Sequence, residues 1–551
     1  MAGARTSIAL CDGKETIFMK EVRELVPESL TAEQKLGLLL CANLAHGEAD
    51  LEDALTMIRE HRLGAVWVPT HHKDRDRILA RIRETADYPI LIMCDAECGY
   101  PGYEIPSTIS LSSVQKSRRY ARAFGRLTAT LYAALGYNVI CSPVLDRSTC
   151  NKPCGNTTRS LSPDRDTVAA LAAEICRGMH EGGTLSVAKH YPSPQKGKPF
   201  DSHMREGFST DTREELLEDA LYPYRALIAE DLIDGVMVGH SRLVNIDPDR
   251  PASLSRPVLD ILRDCGFRGF YITDALIMMG IVLKYGNDRP TPMAVEAGCD
   301  LPLSWGIPCK RAYAALLEGY RDGMIKPERL EDAVRHVLFA QHRAAALPRA
   351  ASIREEDVDC IRRLGRESVS GVIAEGYTPA IPRDGRHLFV VMVDCVKGGA
   401  QEFDVFAGVW YRPEVIEKRI RALFPASEVI LHPNYPNPQQ NLALFQKQGE
   451  YDDIVYITFC KTECFVGREA LTSRTVDLMD ALQSADRIAA HLHFGNPFVA
   501  TDAPYVPRVI LGWGSEACIL AALDILAGEG ELCGVQPYAP YLHFHKKGDD
   551  L

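Results

Sequence analysis

Asp274 stands at the end of an apolar run, residues 269–273, and the tripeptide Asp201-Ser202-His203 begins 12 residues after Lys189, which His190 follows directly. A carboxylate can attack carbon as a covalent nucleophile. An imidazole, whose ordinary pKa is about 6.5, can donate and then take back a proton at cellular pH. Asp201, two residues from His203, can hold the other ring nitrogen and stabilise the imidazolium. Lysine and arginine side chains supply directed hydrogen bonds to hydroxyl groups. Singly these residues carry little, since an Asp after an apolar run commonly caps a helix and an Asp-x-His pair usually lies on the surface. His240 reads either as a ligand or as a satisfied core histidine behind the ligands. Cys150 and Cys154 have loose metal-ligand spacing, but no second Cys/His pair stands nearby, so no metal site is expected. Gly182-Gly183 lies between a helical stretch and a strand-like run and reads as a turn, not a phosphate loop.

Positioning such residues requires a scaffold that brings several strand ends together. Short apolar, β-branched runs at 63–68, 89–94, 137–141, 185–189, 235–238, 269–273 and 299–303 alternate with amphipathic helical stretches. Several end in a polar or charged group: Asp95, Lys189 with His190, His240, Asp274. This alternation predicts an α/β fold, a (β/α)8 TIM-type barrel over residues 1–345, whose active site lies just past the carboxyl ends of its strands. The first strong helix begins near Thr31, where Thr31 and Gln34 have capping-box spacing. Residues 346–378 read as a helical linker. A second alternation follows, with runs at 388–393, 429–431, 454–459, 488–492 and 509–511, and predicts an α/β open-sheet sandwich domain over 379–551.

Composition sets the outer limits. A chain of 551 residues is too long for one compact core, and its 46% apolar and 25% charged residues are those of an ordinary globular protein. The formal net charge of −12 argues against nonspecific nucleic-acid binding, and no apolar run is long enough to span a bilayer. Residues 1–20 carry only a short apolar patch with no small-residue cleavage site behind it, and the 17 cysteines are scattered. A cytoplasmic protein with reduced thiols is expected. No Gly-x-Gly-x-x-Gly follows an early strand, which sets a nicotinamide-dependent dehydrogenase aside. The oligomeric state is not legible.

Lys189-His190-Tyr191-Pro192, Asp201-Ser202-His203, Val236-Met237-Val238-Gly239-His240, Pro251-Ala252-Ser253-Leu254-Ser255 and Gly266-Phe267-Arg268-Gly269-Phe270-Tyr271-Ile272-Thr273-Asp274 together resemble the barrel domain of glycoside hydrolase family 3. Within it they look most like the branch containing the β-N-acetylglucosaminidases. Asp95-Ala96-Glu97, Pro143-Val144-Leu145-Asp146, Arg159-Ser160 and Ala297-Gly298-Cys299-Asp300 fall in the family's order, and Gly495-Asn496-Pro497-Phe498 resembles its second domain. The resemblance implies a retaining β-glycoside-cleaving enzyme acting on a small β-linked glucoside or N-acetylglucosaminide without metal or organic cofactor. It implies Asp274 as the nucleophile, Asp201 and His203 as the acid/base dyad, and Asp95, Arg159, Lys189, His190 and His240 as ligands of the donor sugar. A catalytically silent sugar-binding protein on the same scaffold is the alternative; it would have no need to keep Asp274 together with the Asp201/His203 pair.

The chain departs from the family pattern in two places. The loop after Lys-His-x-Pro, normally Gly-His-Gly, reads Ser193-Pro194-Gln195-Lys196-Gly197-Lys198, and Cys98-Gly99 replaces a glycine pair and is not followed by the usual arginine. The first change adds lysines near His203 and bears on the acceptor. A carboxylate acid/base would repel incoming phosphate by roughly 4 kcal/mol at ~4 Å and an effective dielectric of ~20. A neutral histidine removes that barrier, and Lys196 or Lys198 could attract the anion. Inorganic phosphate therefore joins water as an expected acceptor.

Overall fold

The computed structural model describes residues 23–45, 47–151, 156–197, 200–393, 411–460 and 469–544. Helix Ala32–Leu38 opens with the reciprocal cap its sequence predicts: the Thr31 hydroxyl accepts from the Gln34 amide at 3.2 Å, and the Gln34 side chain accepts from the Thr31 amide at 3.0 Å. Seven short parallel strands follow in chain order around one sheet: β1 (Cys41–Asn43), β2 (Ala65–Trp67), β3 (Leu91–Cys94), β4 (Val139–Ile140), β5 (Leu185–Tyr191), β6 (Gly235–Val238) and β7 (Phe270–Thr273). Residues 301–303 complete the circle, Leu301 bridging to Ile272 of β7 and Leu303 to Cys41 of β1. The result is the expected TIM-type barrel. The sequence runs mark β2 to β7 and the closing segment but not β1. There the helix passes into the strand within an unbroken apolar stretch, with Leu38, Leu39, Leu40, Cys41 and Ala42 all fully buried, and periodicity cannot divide such a stretch.

Helices Ser117–Leu135 and Arg165–Gly182 precede β4 and β5, the strands that lead to Asp146 and Lys189. They meet through glycine. A Cβ on Gly125 would sit 2.2 Å from the carbonyl oxygen of Ile175, and one on Gly178 would sit 2.3 Å from that of Arg122. The two backbones touch where a side chain would hold them apart.

The second domain is a six-stranded sheet. Its strands are β8 (Ser370–Ile373), β9 (His387–Val393), β10 (Glu428–Pro433), β11 (Asp453–Cys460), β12 (Ile488–Gly495) and β13 (Arg508–Gly512), in the order β8-β13-β12-β11-β9-β10. All pairs are parallel except β8 with β13. Along β9, Phe389 and Val391 enter the core on one face, and Leu388, Val390 and Met392 the core on the other. Both faces are covered, which is why these strands read as continuous apolar runs. The segment read as a linker, 346–378, supplies helix Glu355–Glu367 and the edge strand β8. That helix ties the domains together. Arg126 of the barrel grips Asp357 at 2.6 and 2.8 Å, Tyr120 donates to Glu367 at 2.6 Å, and Cys518 of the second domain donates to the Gly365 carbonyl at 2.9 Å. No helix among the described residues is long and apolar enough to cross a membrane.

Gly178→Ala forces its new methyl against the Arg122 carbonyl, 2.3 Å away, and is expected to lower stability by about 1–3 kcal/mol. Thermal unfolding of the purified variant checks this. An unchanged midpoint would show that the helices separate without cost.

Candidate active site

The charged residues of the sequence analysis gather at the carboxyl ends of the barrel strands. Lys189, in β5, is 2% exposed, and its ammonium lies between two carboxylates, 2.5 Å from Asp95 Oδ1 and 2.6 Å from Glu97 Oε1. Arg159 holds Glu97 from the other side by a two-pronged pairing, Nε to Oε2 and Nη2 to Oε1, each 2.8 Å. Burial would strip Lys189 of its proton, but Asp95 and Glu97 outweigh it and raise the ammonium above its usual range. Burial raises the Asp95 carboxyl, and Glu97 adds to the rise against the pull of Lys189. Glu97 suffers the same burial, yet Arg159 and Lys189 hold it well below the usual carboxylate range.

His190 extends the cluster. Its Nδ1 donates to Asp146 Oδ2 at 2.6 Å, so its Nε2 accepts from Arg159 Nη2 at 3.3 Å. The other oxygen of Asp146 accepts from the Ser193 hydroxyl at 2.7 Å. Burial works against an ionised Asp146, but His190, Ser193 and Arg159 overcome it and leave its carboxyl below the usual range. Asp95, Arg159, Lys189 and His190 thus form one connected wall of fixed donors and acceptors, suited to a polyhydroxylated ligand.

Asp274 follows β7 directly. Its backbone amide bonds to the Val238 carbonyl at 2.8 Å, and Oδ1 accepts from the Ala275 amide at 2.7 Å. Burial pushes its carboxyl up, while His190, His240, His203 and the Ala275 amide pull it down further, so it stays a carboxylate. His203 sits on the loop after β5. Its Nδ1 and backbone amide both lie 2.9 Å from Asp201 Oδ1, and its carbonyl accepts from the Met279 amide at 3.2 Å. Asp201 fixes the ring tautomer, which puts the exchangeable proton on Nε2.

Of the two readings for His240, its contacts favour the satisfied histidine behind the ligands over the sugar ligand. Its Nε2 donates to the Ala275 carbonyl at 3.1 Å and its Nδ1 accepts from the Ser253 hydroxyl at 2.8 Å. Burial keeps it neutral despite Asp274 nearby. Both ring nitrogens are used by the protein, so His240 fixes the peptide after Asp274 and does not reach for a sugar hydroxyl. Lys196 also departs from expectation. Its side chain is 53% exposed and its ammonium pairs with Glu215 at the surface, so it is not held towards an incoming anion. Lys198 lies outside the described residues. Glu97, which joins Lys189 to Arg159, was not among the predicted ligands. The Asp-x-Glu spacing after a strand was the available signal, but only the fold shows which cations converge on the glutamate.

Residues 31–340 match the model of the glycosyl hydrolase family 3 N terminal domain. The chain belongs to this family. The family 3 protein is 26% identical to a beta-N-acetylglucosaminidase/beta-glucosidase of Cellulomonas fimi, in an alignment covering 92% of this chain and 93% of that one. It is 32% identical to a beta-hexosaminidase of Idiomarina loihiensis over 48% of this chain and 82% of the relative. Two solved structures share the fold. A family 3 beta-N-acetylglucosaminidase from Paenibacillus sp. str. FPU-7 matches with a TM-score of 0.78 at 23% identity, covering 92% of this chain and 99% of that one. The beta-glucoside phosphorylase BglX matches at 0.77 and 21% identity, covering 93% and 94%.

In this family 3 protein Glu97→Gln would leave two buried cations facing the single carboxylate of Asp95. Breaking a buried ion pair from one side costs about 3–5 kcal/mol. The variant is expected to unfold at a clearly lower temperature by calorimetry, and an unchanged midpoint would show that the cluster stands without its second anion.

Proposed function

We propose that the protein cleaves small β-linked glucosides or N-acetylglucosaminides with retention of configuration. The observation that carries this reading is the pairing at the barrel mouth of an ionised Asp274, ringed by histidines, with His203 held by Asp201. With Oδ1 engaged by the Ala275 amide, Oδ2 of Asp274 is the attacking atom. It forms a bond to the anomeric carbon as the bond to the leaving oxygen breaks, and His203 Nε2 gives its proton to that oxygen. His203, now neutral, takes a proton from the acceptor, whose oxygen displaces Asp274. Two inversions return the β configuration. Asp95, Arg159, Lys189 and His190 hold the hydroxyls of the donor sugar, and His240 steadies the backbone that carries Asp274. The names of the relatives, an N-acetylglucosaminidase/glucosidase and a glucoside phosphorylase, support both donor classes.

Water and inorganic phosphate are the two acceptors. An imidazole acid/base spares an approaching phosphate the repulsion of roughly 4 kcal/mol that a carboxylate would impose at ~4 Å. Since Lys196 is engaged with Glu215, a bound anion would rely on Lys198 or on basic groups of the barrel mouth such as Arg159.

Asp274→Ala should abolish turnover of nitrophenyl β-glucoside and β-N-acetylglucosaminide while the variant unfolds like the parent. Near-normal turnover would remove Asp274 from the chemistry. His203→Ala should slow substrates with basic leaving groups by about 10²–10⁴-fold and activated aryl glycosides far less, with Asp201→Asn weakening the same step more mildly. Equal slowing of both classes would make His203 a structural residue. Phosphorus NMR of reactions run in millimolar phosphate is expected to show a β-sugar 1-phosphate. Free sugar alone, released at a rate indifferent to phosphate, would fix water as the acceptor.

A further inference from the structure

The segment between β4 and helix Asn156–Arg159 carries Asp146 near its start, and that helix ends in Arg159. Between Asp146, which holds His190, and Arg159 of the donor wall, the chain is held by the second domain. Asn496 donates from Nδ2 to Asn151 Oδ1 at 2.8 Å and to Glu469 Oε2 at 2.6 Å, and Asn151 Nδ2 donates to the Glu469 carbonyl at 2.9 Å. Asn496 is fully buried, and Glu469 and Asn151 are 6% and 9% exposed. A second tie lies six residues further on, where the buried Tyr538 donates its hydroxyl to the Thr157 carbonyl at 2.6 Å.

Asn496 is itself immobilised. Its Oδ1 accepts from the Phe498 amide at 3.2 Å, and its carbonyl accepts from His493 Nε2 at 2.9 Å. A carbonyl can only accept, so His493 carries its proton on Nε2, and its Nδ1 accepts from the Thr458 hydroxyl at 2.7 Å. Thr458 in turn accepts from His491 Nε2 at 2.7 Å. Burial drives the pKa of His491 down to about 3 and that of His493 to about 4. Both rings are therefore neutral at cellular pH, and every bond in the chain keeps one direction. A rigid line of hydrogen bonds runs from the interior of the second sheet to the barrel loop.

We propose that Asn496 and Tyr538 are positioning residues for the barrel's donor-sugar site. The second domain holds the loop at Asn151 and Thr157, and so sets where Arg159 and, through Asp146, His190 meet the sugar. The proposal rests on the functional reading above. On that reading Arg159 and His190 hold hydroxyls of the donor and not the breaking bond, so loosening them is expected to act on binding more than on the bond-breaking step. An interface that only glued the domains together would instead change the unfolding temperature and leave KM alone.

The experiment uses the full-length chain with nitrophenyl β-glucoside and β-N-acetylglucosaminide. Asn496→Ala and, from the barrel side, Asn151→Ala are each expected to raise KM about tenfold with kcat within about threefold. The double variant should lose less than the sum of the two singles, because both remove the contact that the two asparagines share. Tyr538→Phe should give a smaller rise in KM. Arg126→Ala, which cuts the tie between the barrel and helix Glu355–Glu367 at Asp357 and touches neither asparagine, should lower the unfolding midpoint with KM unmoved. A wild type that turns over its glycosides while both asparagine variants keep its KM overturns the clamp. So does a double variant whose losses simply add, or an Arg126→Ala that raises KM as much. A wild type that turns over neither glycoside overturns the functional reading itself.

Discussion

Lys189 keeps a charged ammonium in a site with almost no exposure to water. A buried cation survives only when anions meet it at hydrogen-bonding distance and are themselves satisfied. Asp95 and Glu97 provide that, and Glu97 can do so because Arg159 neutralises it in turn. The other features of the donor wall follow. Arg159 must approach β5, where it meets His190. Asp146 bonds the other ring nitrogen of His190. His190 in turn lies near Asp274, whose carboxyl stays below its usual range. The group that would break a glycosidic bond and the groups that would hold the sugar share one electrostatic network.

The residues visible in the sequence were those whose chemistry shows in their immediate neighbourhood. Asp274 after an apolar run and Asp201 two places before His203 keep in the fold the local relations they have in the chain: one follows a strand, the other bonds its neighbour's ring. The strands of the second domain were legible because burial on both faces leaves no polar residue to interrupt them. What escaped notice depends on distance along the chain. The pairing of Glu97 with Arg159 spans 62 residues, and nothing near either position announces the other. His240 looked like a ligand because its strand-end position is that of one, and only the Ser253 hydroxyl and the Ala275 carbonyl, brought up from later turns, show that both nitrogens are taken. Lys196 likewise looked available until Glu215 came to meet it. β1 was hidden for the opposite reason: its surroundings are so uniformly apolar that a helix end and a strand cannot be told apart.

The two domains also differ in how they use polar groups. Around Lys189 such groups are charged and balanced in pairs. Where β11 meets β12, Thr458, His491 and His493 form a neutral chain, both rings held uncharged by burial. Neutral groups carry direction without net charge, so they can be buried in the sheet without counter-ions. They end at Asn496, where the second domain meets the barrel loop.

The pairing of β8 with β13 has a consequence for synthesis. β8 emerges from the ribosome soon after the barrel, yet its neighbour in the sheet, among the described residues, is made from residues 508–512. The barrel can therefore fold while the second domain still waits for its own edge to be completed. Tyr538 emerges later still, 381 positions after the Thr157 carbonyl it bonds. Between the completion of the barrel and the synthesis of Tyr538, the barrel mouth would lack this fastening.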